Sequence, residues 1–318
     1  MSNFSKNQRM AKGISSIIAA GVRWSGIGKA VRHTIARRRV SILLYHDPTP
    51  EHFERHLQYL SKRYNFVSLG EVVEAMANDT WSNLPDRALV LTFDDGHAGN
   101  AELLDLFVRY GVKPTVYVCS QVIDTNRHFW FLDTPDPDEL KSLTNSERRI
   151  VLEDAGFSAT EEHPVRQALN AEELERMRDA VDFAAHTRFH PILPSCSHEE
   201  AAFEIAASRT EIELLTGQRC HDFSFPNGDY GEREIELAKE AGYRSARTVD
   251  VGWNTATTDP FLLKILGTND NASINRLAGD MSGVTGWLAR LKVGSLTGRH
   301  RPAVRPEEPR RALHASRT

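Results

Sequence analysis

Residues 88–120 read ALVLTFDDGHAGNAELLDLFVRYGVKPTVYVCS, and this stretch decides the fold class. ALVLTF is a short apolar run rich in β-formers that stops at Asp94, Asp95 and Gly96. That is the pattern of a fully buried strand ending in a turn. NAELLDLFVRYG (100–111) carries Leu and Phe at helical spacing and ends on Gly111, which can cap a helix. KPTVYVCS (113–120) is a second buried strand. Strand, helix and strand in succession make a βαβ unit, whose two strands lie parallel.

The same alternation continues on both sides. VSILLYH (40–46), NFVSL (65–69), VDFAAH (181–186), HDFSFP (221–226), SARTVD (245–250) and LLKIL (262–266) read as strands. EHFERHLQYLSKRY (51–64), GEVVEAMAND (70–79), HEEAAFEIAASRTEIELLTG (198–217) and EREIELAKEAG (232–242) read as helices between them. Seven or eight buried strands separated by helices imply an α/β fold with a parallel sheet. The length of 318 residues suits a closed (β/α) barrel of about seven parallel strands better than two domains. The barrel domain is expected over 40–294. Residues 124–170 interrupt the alternation and carry Phe129, Trp130 and Phe131. They are expected as an insertion, or lid, over one end.

Hydrophobic residues make up 40% of the chain, enough for a large core, and the formal net charge of −4 speaks against a general nucleic-acid binder. That value conceals an asymmetry. Residues 1–40 hold nine Lys/Arg and no Asp/Glu, residues 41–294 hold 24 basic and 41 acidic residues, and residues 295–318 hold six basic and two acidic. An acidic body thus lies between basic ends. Residues 1–39 read as basic helical segments broken at Gly26 and Gly28, with Ile14, Ile17, Ile18, Val22 and Trp24 near helical spacing. This pattern suits peripheral contact with an anionic membrane. Residues 295–318, with Pro302, Pro306 and Pro309 among arginines, read as a disordered tail. No run of 18 apolar residues occurs, so no spanning helix is expected. The run ISSIIAAGV (14–22) is short for an export signal. Three cysteines without a CxxC unit fit a reducing compartment. The expected location is therefore cytoplasmic, peripheral to a membrane, with an unusual export signal as the other reading.

Four features can carry chemistry. Asp94 and Asp95 end a strand, where barrel enzymes gather their active sites. Two adjacent carboxylates repel, and a bound cation would keep one anionic and leave the other as a base; the plain alternative is an exposed Asp-Gly turn. His186 and His190, in HTRFH, are four residues apart, which on a helical turn aims both imidazoles at one ion. His52 and His56 share that spacing but sit on an ordinary amphipathic helix without the Glu of a zinc-protease motif, and read as structural. His46 ends strand 40–46, where it can face the same mouth or cap the following helix. Pro226, Asn227 and Gly228, in FSFPNGDY (223–230), form a turn whose N–H groups can bind an oxyanion, or a plain strand-to-helix turn.

Taken in order, TFDDG, HTRFH and FSFPNGDY resemble the three core motifs of the polysaccharide deacetylases with a NodB-type domain, the carbohydrate esterase family 4 type. The resemblance spans roughly residues 40–267. It implies a distorted (β/α) barrel and a metal-dependent hydrolase. By it, Asp94 is the catalytic base, and Asp95, His186 and His190 hold one divalent metal ion, usually zinc. The backbone at Asp229–Tyr230 donates to the oxyanion, beside Pro226 and Asn227. ILLYHDPTPEHFERHLQYLSKRYNFVSLGEVVEAM (42–76) resembles the opening of a subgroup with motifs rearranged along the chain, whose acid histidine lies in the first strand. That role falls on His46. Lys264, in DPFLLKIL, matches the basic residue that orients the base. Two positions depart from the family pattern. His97 follows the glycine where proline or an aromatic is usual, and no arginine shortly precedes Pro226, Arg219 being seven residues away.

The implied activity is removal of N-acetyl groups from an N-acetylated amino-sugar polysaccharide, oligosaccharide or glycan precursor. The acidic body disfavours a polyanionic substrate and suits a neutral glycan. Two alternatives stay open. One is a metal-dependent hydrolase of another amide or ester, although the chain lacks the His-x-His of amidohydrolase barrels and the G-x-S-x-G of serine hydrolases. The other is a non-catalytic glycan-binding protein.

Overall fold

The apolar runs become strands, and closing them into a ring decides which residues face inward. The computed structural model describes Gly21, residues 25–134 and residues 136–283. Its strands are β1 (Ser41–Tyr45), β2 (Asn65–Phe66), β3 (Ala88–Phe93), β4 (Thr115–Val118), β5 (Asp182–Ala185), β6 (Asp222–Ser224), β7 (Ser245–Val251) and β8 (Leu263–Gly267). Neighbouring strands pair in parallel from β3 through β8. β1 then pairs with β3 on one edge, Tyr45 opposite Phe93, and with β8 on the other, Leu43 opposite Leu266. Seven strands therefore close into a barrel. The two-residue β2 is the distortion: it takes only the start of the β3 edge that β4 occupies further along.

Around the barrel run α1 (Ile27–His33), α2 (Pro50–Leu60), α3 (Leu69–Ala77), α4 (Leu104–Tyr110), α5 (Pro137–Leu140), α6 (Asn145–Asp154), α7 (Ala171–Met177), α8 (His198–Thr216), α9 (Glu232–Glu240) and α10 (Ile274–Met281). Local chemistry sets their ends. Ser197 and Glu200 form a capping box at the start of α8, and Gly217, at φ 68°, ends it. The expected helix over 100–111 starts instead as a 3-10 turn, Ala98–Leu103, before α4. Gly26, at φ 78°, precedes α1, whereas Gly28, expected to break it, is buried within it.

Strand side chains alternate between two packing layers. Ile42, Leu44, Val90, Tyr117, Ala184 and Ile265 form the inner cluster, which α3 joins through Leu69, Val72 and Val73. Leu43, Tyr45, Leu91, Phe93, Val116 and Phe183 face outward and pack against helix residues such as Phe53, Phe107 and Ile205. Cys119, Cys196 and Cys220 are buried free thiols. No helix among the described residues is long and apolar enough to cross a membrane. The expectations for residues 1–20 and 22–24, for the end of the barrel domain over 284–294 and for the tail from 295 lie outside the described residues.

Phe93, the residue before Asp94, sits in a knot of rings. It stacks on Tyr45 at 5.5 Å and meets Phe53 and Phe107 edge-on at 5.4 and 5.6 Å. Phe93→Ala is expected to cost about 3–5 kcal/mol, read as a lower urea midpoint at unchanged m-value. A midpoint within error of wild type would show that these rings do not anchor the end of β3.

Candidate active site

The inward alternation carries Asp94, His186, Ser224 and Arg247 into one end of the barrel, on the same parity as Val90 and Ala184. Strict alternation would send Asp95 the other way. It does not, because Asp95 leaves the strand conformation at φ 70° and Gly96 follows at φ 77°. A Cβ on Gly96 would lie 2.7 Å from Val118 Cγ1, so only glycine fits this turn. Both carboxylates thus approach the same atom. Asp94 Oδ2 lies 3.8 Å and Asp95 Oδ1 3.6 Å from His186 Nε2.

HTRFH does not form the expected helical turn. Thr187 and His190 take left-handed φ values of 67° and 57°. The two imidazoles meet at 71° with centroids 4.8 Å apart, and His190 Nε2 lies 3.4 Å from Asp95 Oδ1. The Thr187 hydroxyl donates to the His186 carbonyl and accepts the His190 N–H. Glu204 of α8 straps the loop by accepting the N–H groups of Arg188 and Phe189 at 2.8 and 3.1 Å. Burial raises the Glu204 pKa, and these two bonds oppose that rise. Among the described residues, four of the seven positive-φ residues other than glycine (Asp95, Thr187, His190, Asn227) belong to the expected motifs. Such strain persists only where the surroundings enforce it.

Asp94 and Asp95 are 5% and 2% exposed. Buried charges need partners. Arg247 Nη2 meets both oxygens of Asp94 and donates to Ser224 Oγ, and its guanidinium lies over the Tyr117 ring. His97 Nε2 donates to Asp95 Oδ2 at 3.1 Å. Asp95 Oδ1 is buried with no hydrogen-bond partner. His186 Nδ1 donates to the Ser224 carbonyl at 2.8 Å, which leaves its Nε2 lone pair facing Asp95. Burial would push the Asp95 carboxyl up, but the His97 hydrogen bond draws it below the usual carboxylate range. Burial takes His190 down to about 3, keeping its imidazole neutral.

These residues fit a divalent cation. Their ligand atoms all lie within 4.8 Å of one another. The 3.4 and 3.6 Å separations approach the edge of about 3.4 Å in a tetrahedral site with bonds of about 2.0–2.1 Å. A second group, His128, Asp133 and His163, lies in the 124–170 insertion. Its rings stack 3.8 Å apart and 17° from parallel, so their in-plane lone pairs do not converge. His128 engages Asp133 Oδ2 at 2.6 Å and the Val165 carbonyl at 2.7 Å. That is hydrogen-bond spacing, and the group clasps two parts of the insertion together.

The other expected residues divide. The Pro226–Gly228 turn leaves the barrel just after Ser224, at the same end as the carboxylates. Gly228 has φ 71°, and a Cβ there would lie 2.1 Å from Val249 Cγ2. Tyr230 is buried, its hydroxyl donates to Asp250 Oδ2 and its ring stacks on Phe225. His46 is exposed and lines a hollow of about 490 Å³ with residues 268–272. Its N–H and that of Asp47 are gripped by Asp270, and the Asp94 N–H donates to the carbonyl of Tyr45, one residue before it. Lys264 does not join the cluster. It lies on the outward parity of β8 and is exposed. The cation that meets Asp94 is Arg247, which pairs with Ser224 in register on the neighbouring strand. Of the second histidine pair, His52 is half-buried, whereas His56 is buried between the Tyr45 hydroxyl and the Ala272 carbonyl rather than on a polar face. The insertion supplies a wall. Phe129 packs on His97, Phe131 lies 4.5 Å from the His190 ring, and Trp130 Nε1 donates to the His190 carbonyl.

A family description, "Polysaccharide deacetylase", matches residues 82–246. This is just over half of the chain, and the chain belongs to that family, hydrolases that remove acetyl groups from polysaccharides and generally use a divalent metal. Its fold is shared with a Streptococcus pyogenes deacetylase, PplD, in complex with acetate (21% identity, TM-score 0.57, 76% of this chain and 98% of that one). IcaB from Ammonifex degensii is similar at 15% identity and TM-score 0.57, over 77% of this chain and 97% of that one. A polysaccharide deacetylase from Bacillus cereus is similar at 16% and 0.53, over 76% and 69%. At these identities the likeness concerns the fold. No curated protein matches the chain.

Removing Arg247 would leave Asp94 buried and unpaired. Arg247→Met is expected to lose about 3–5 kcal/mol of stability, and Asp94→Asn in the same chain to recover most of it. Simple additivity of the two losses in a urea double-mutant cycle would show that the pair is not coupled.

Proposed function

We propose that the protein is a zinc-dependent N-deacetylase acting on an N-acetylated amino-sugar polysaccharide, oligosaccharide or glycan precursor. One observation carries this reading: a buried Asp95 oxygen without a hydrogen-bond donor faces two imidazole nitrogens, beside a second carboxylate held by Arg247. Zinc held by Asp95, His186 and His190 supplies Lewis acidity toward the acetyl carbonyl and the attacking water.

The remaining work falls to the chain. Arg247 holds the Asp94 carboxylate in one orientation, and Asp94 takes the proton of the attacking water. Oxygen adds to the acetyl carbon, and the backbone N–H at Tyr230 donates to the developing oxyanion. His46, accessible at the end of β1, donates a proton to the sugar nitrogen as the carbon–nitrogen bond breaks, because an amide nitrogen leaves poorly as an anion. Acetate and a free amino sugar result. The acidic body suits a neutral substrate whose product gains a positive charge.

Acetate release from N-acetylglucosamine oligomers is expected to stop on chelation and return with zinc. Asp94→Asn is expected to lower turnover by roughly 10²–10⁴-fold with zinc content retained. Turnover that is indifferent to chelator, or an Asp94→Asn variant with most of its activity, would contradict the reading.

A further inference from the structure

We propose that His97 is a positioning residue for the cation, holding Asp95 Oδ2 through its Nε2–H so that Asp95 offers Oδ1 alone to the ion. The proposal rests on the reading of Asp95, His186 and His190 as the cation site. The acceptor is a carboxylate oxygen, so the bond at 3.1 Å requires the proton on His97 Nε2. With Oδ2 held there, Oδ1 is the oxygen turned to His186 Nε2 and His190 Nε2, which favours ligation through Oδ1 alone. Coordination positions then stay open for water and a substrate carbonyl, as a catalytic rather than a structural site requires.

The imidazole is itself locked, as an effective outer partner must be. It is 8% exposed, and Phe129 packs against it with centroids 5.2 Å apart. Its backbone pairs with Ala168 in an isolated antiparallel bridge. Flanking bonds run from Leu169 N–H to the Gly96 carbonyl and from Ala98 N–H to the Gln167 carbonyl, both at 2.9 Å. Two parts of the insertion, at Phe129 and at Gln167–Leu169, thus hold His97, and His97 holds the ligand. A proline or phenylalanine at this position has no donor to offer.

Zinc affinity of the metal-stripped full chain, measured by competition with a chromophoric chelator at neutral pH, tests this without reference to turnover. His97→Phe is expected to weaken zinc binding by roughly 10–100-fold. His97→Gln, whose amide N–H₂ can reach Asp95, is expected to recover most of that loss, which mere filling of space would not explain. In the unmutated protein, long-range proton–nitrogen NMR is expected to show His97 protonated at Nε2, a readout independent of whether the variants fold. Affinities of His97→Phe and wild type within about twofold, or an Nδ1-protonated His97, would overturn its role alone. A wild-type chain that takes up no zinc would overturn the cation site and the role of His97 with it.

Discussion

Two adjacent carboxylates buried at the end of one strand cannot stand uncompensated, and the site is organised by how each is answered. Asp94 is answered by a permanent cation, Arg247, which touches both of its oxygens. Asp95 is answered by one imidazole donor on Oδ2, whereas Oδ1 faces His186 Nε2 and His190 Nε2 at 3.6 and 3.4 Å with no hydrogen bond from either. Leaving a buried charge unpaired costs several kcal/mol, and the proposed cation among Asp95, His186 and His190 would complete the second answer. In the function proposed above, the two environments separate the roles of two chemically identical side chains, Asp94 as base and Asp95 as ligand.

Closure of the barrel makes this possible. Asp94 on the β3 side and Arg247 on β7 are 153 residues apart and meet because seven strands form a ring with one shared interior. Ser224, on β6 beside Arg247, then serves both halves of the site, taking a guanidinium N–H on its hydroxyl and the His186 N–H on its carbonyl. The strained turns at Asp95, Thr187, His190 and Asn227 supply what straight strands cannot, since they bend consecutive residues toward one point. Outside the barrel, α8 and the insertion hold those turns through Glu204, Trp130 and the backbone at 167–169.

Much of this was legible in the sequence, and the failures share a cause. Strands such as ALVLTF and TVYV are buried on both faces and read as continuous apolar runs, so their existence was plain. Asp94, Asp95, His186 and His190, singled out at strand ends beside turn chemistry, come together at one end of the barrel. Lys264 was misassigned because a one-residue step reverses the face of a strand, and its neighbours Leu263 and Ile265 took the inner parity. Arg247 was missed for the complementary reason: SARTV holds a single charge amid apolar neighbours, a signal of burial, but only closure shows what the charge faces. The helical turn expected for HTRFH failed because nothing in a spacing of four distinguishes a helix from two left-handed residues. His56, buried against Tyr45, looked polar on its own helix because its partner at Ala272 comes from 216 residues away.

The central claim is that the buried doublet is built around one divalent cation, and a crystal of the zinc-soaked protein tests it most directly. Anomalous difference maps on either side of the zinc edge are expected to show one site, within about 2.0–2.2 Å of Asp95 Oδ1, His186 Nε2 and His190 Nε2. Zinc at His128, Asp133 and His163 instead, or no zinc between Asp95 and the two histidines, would contradict the account.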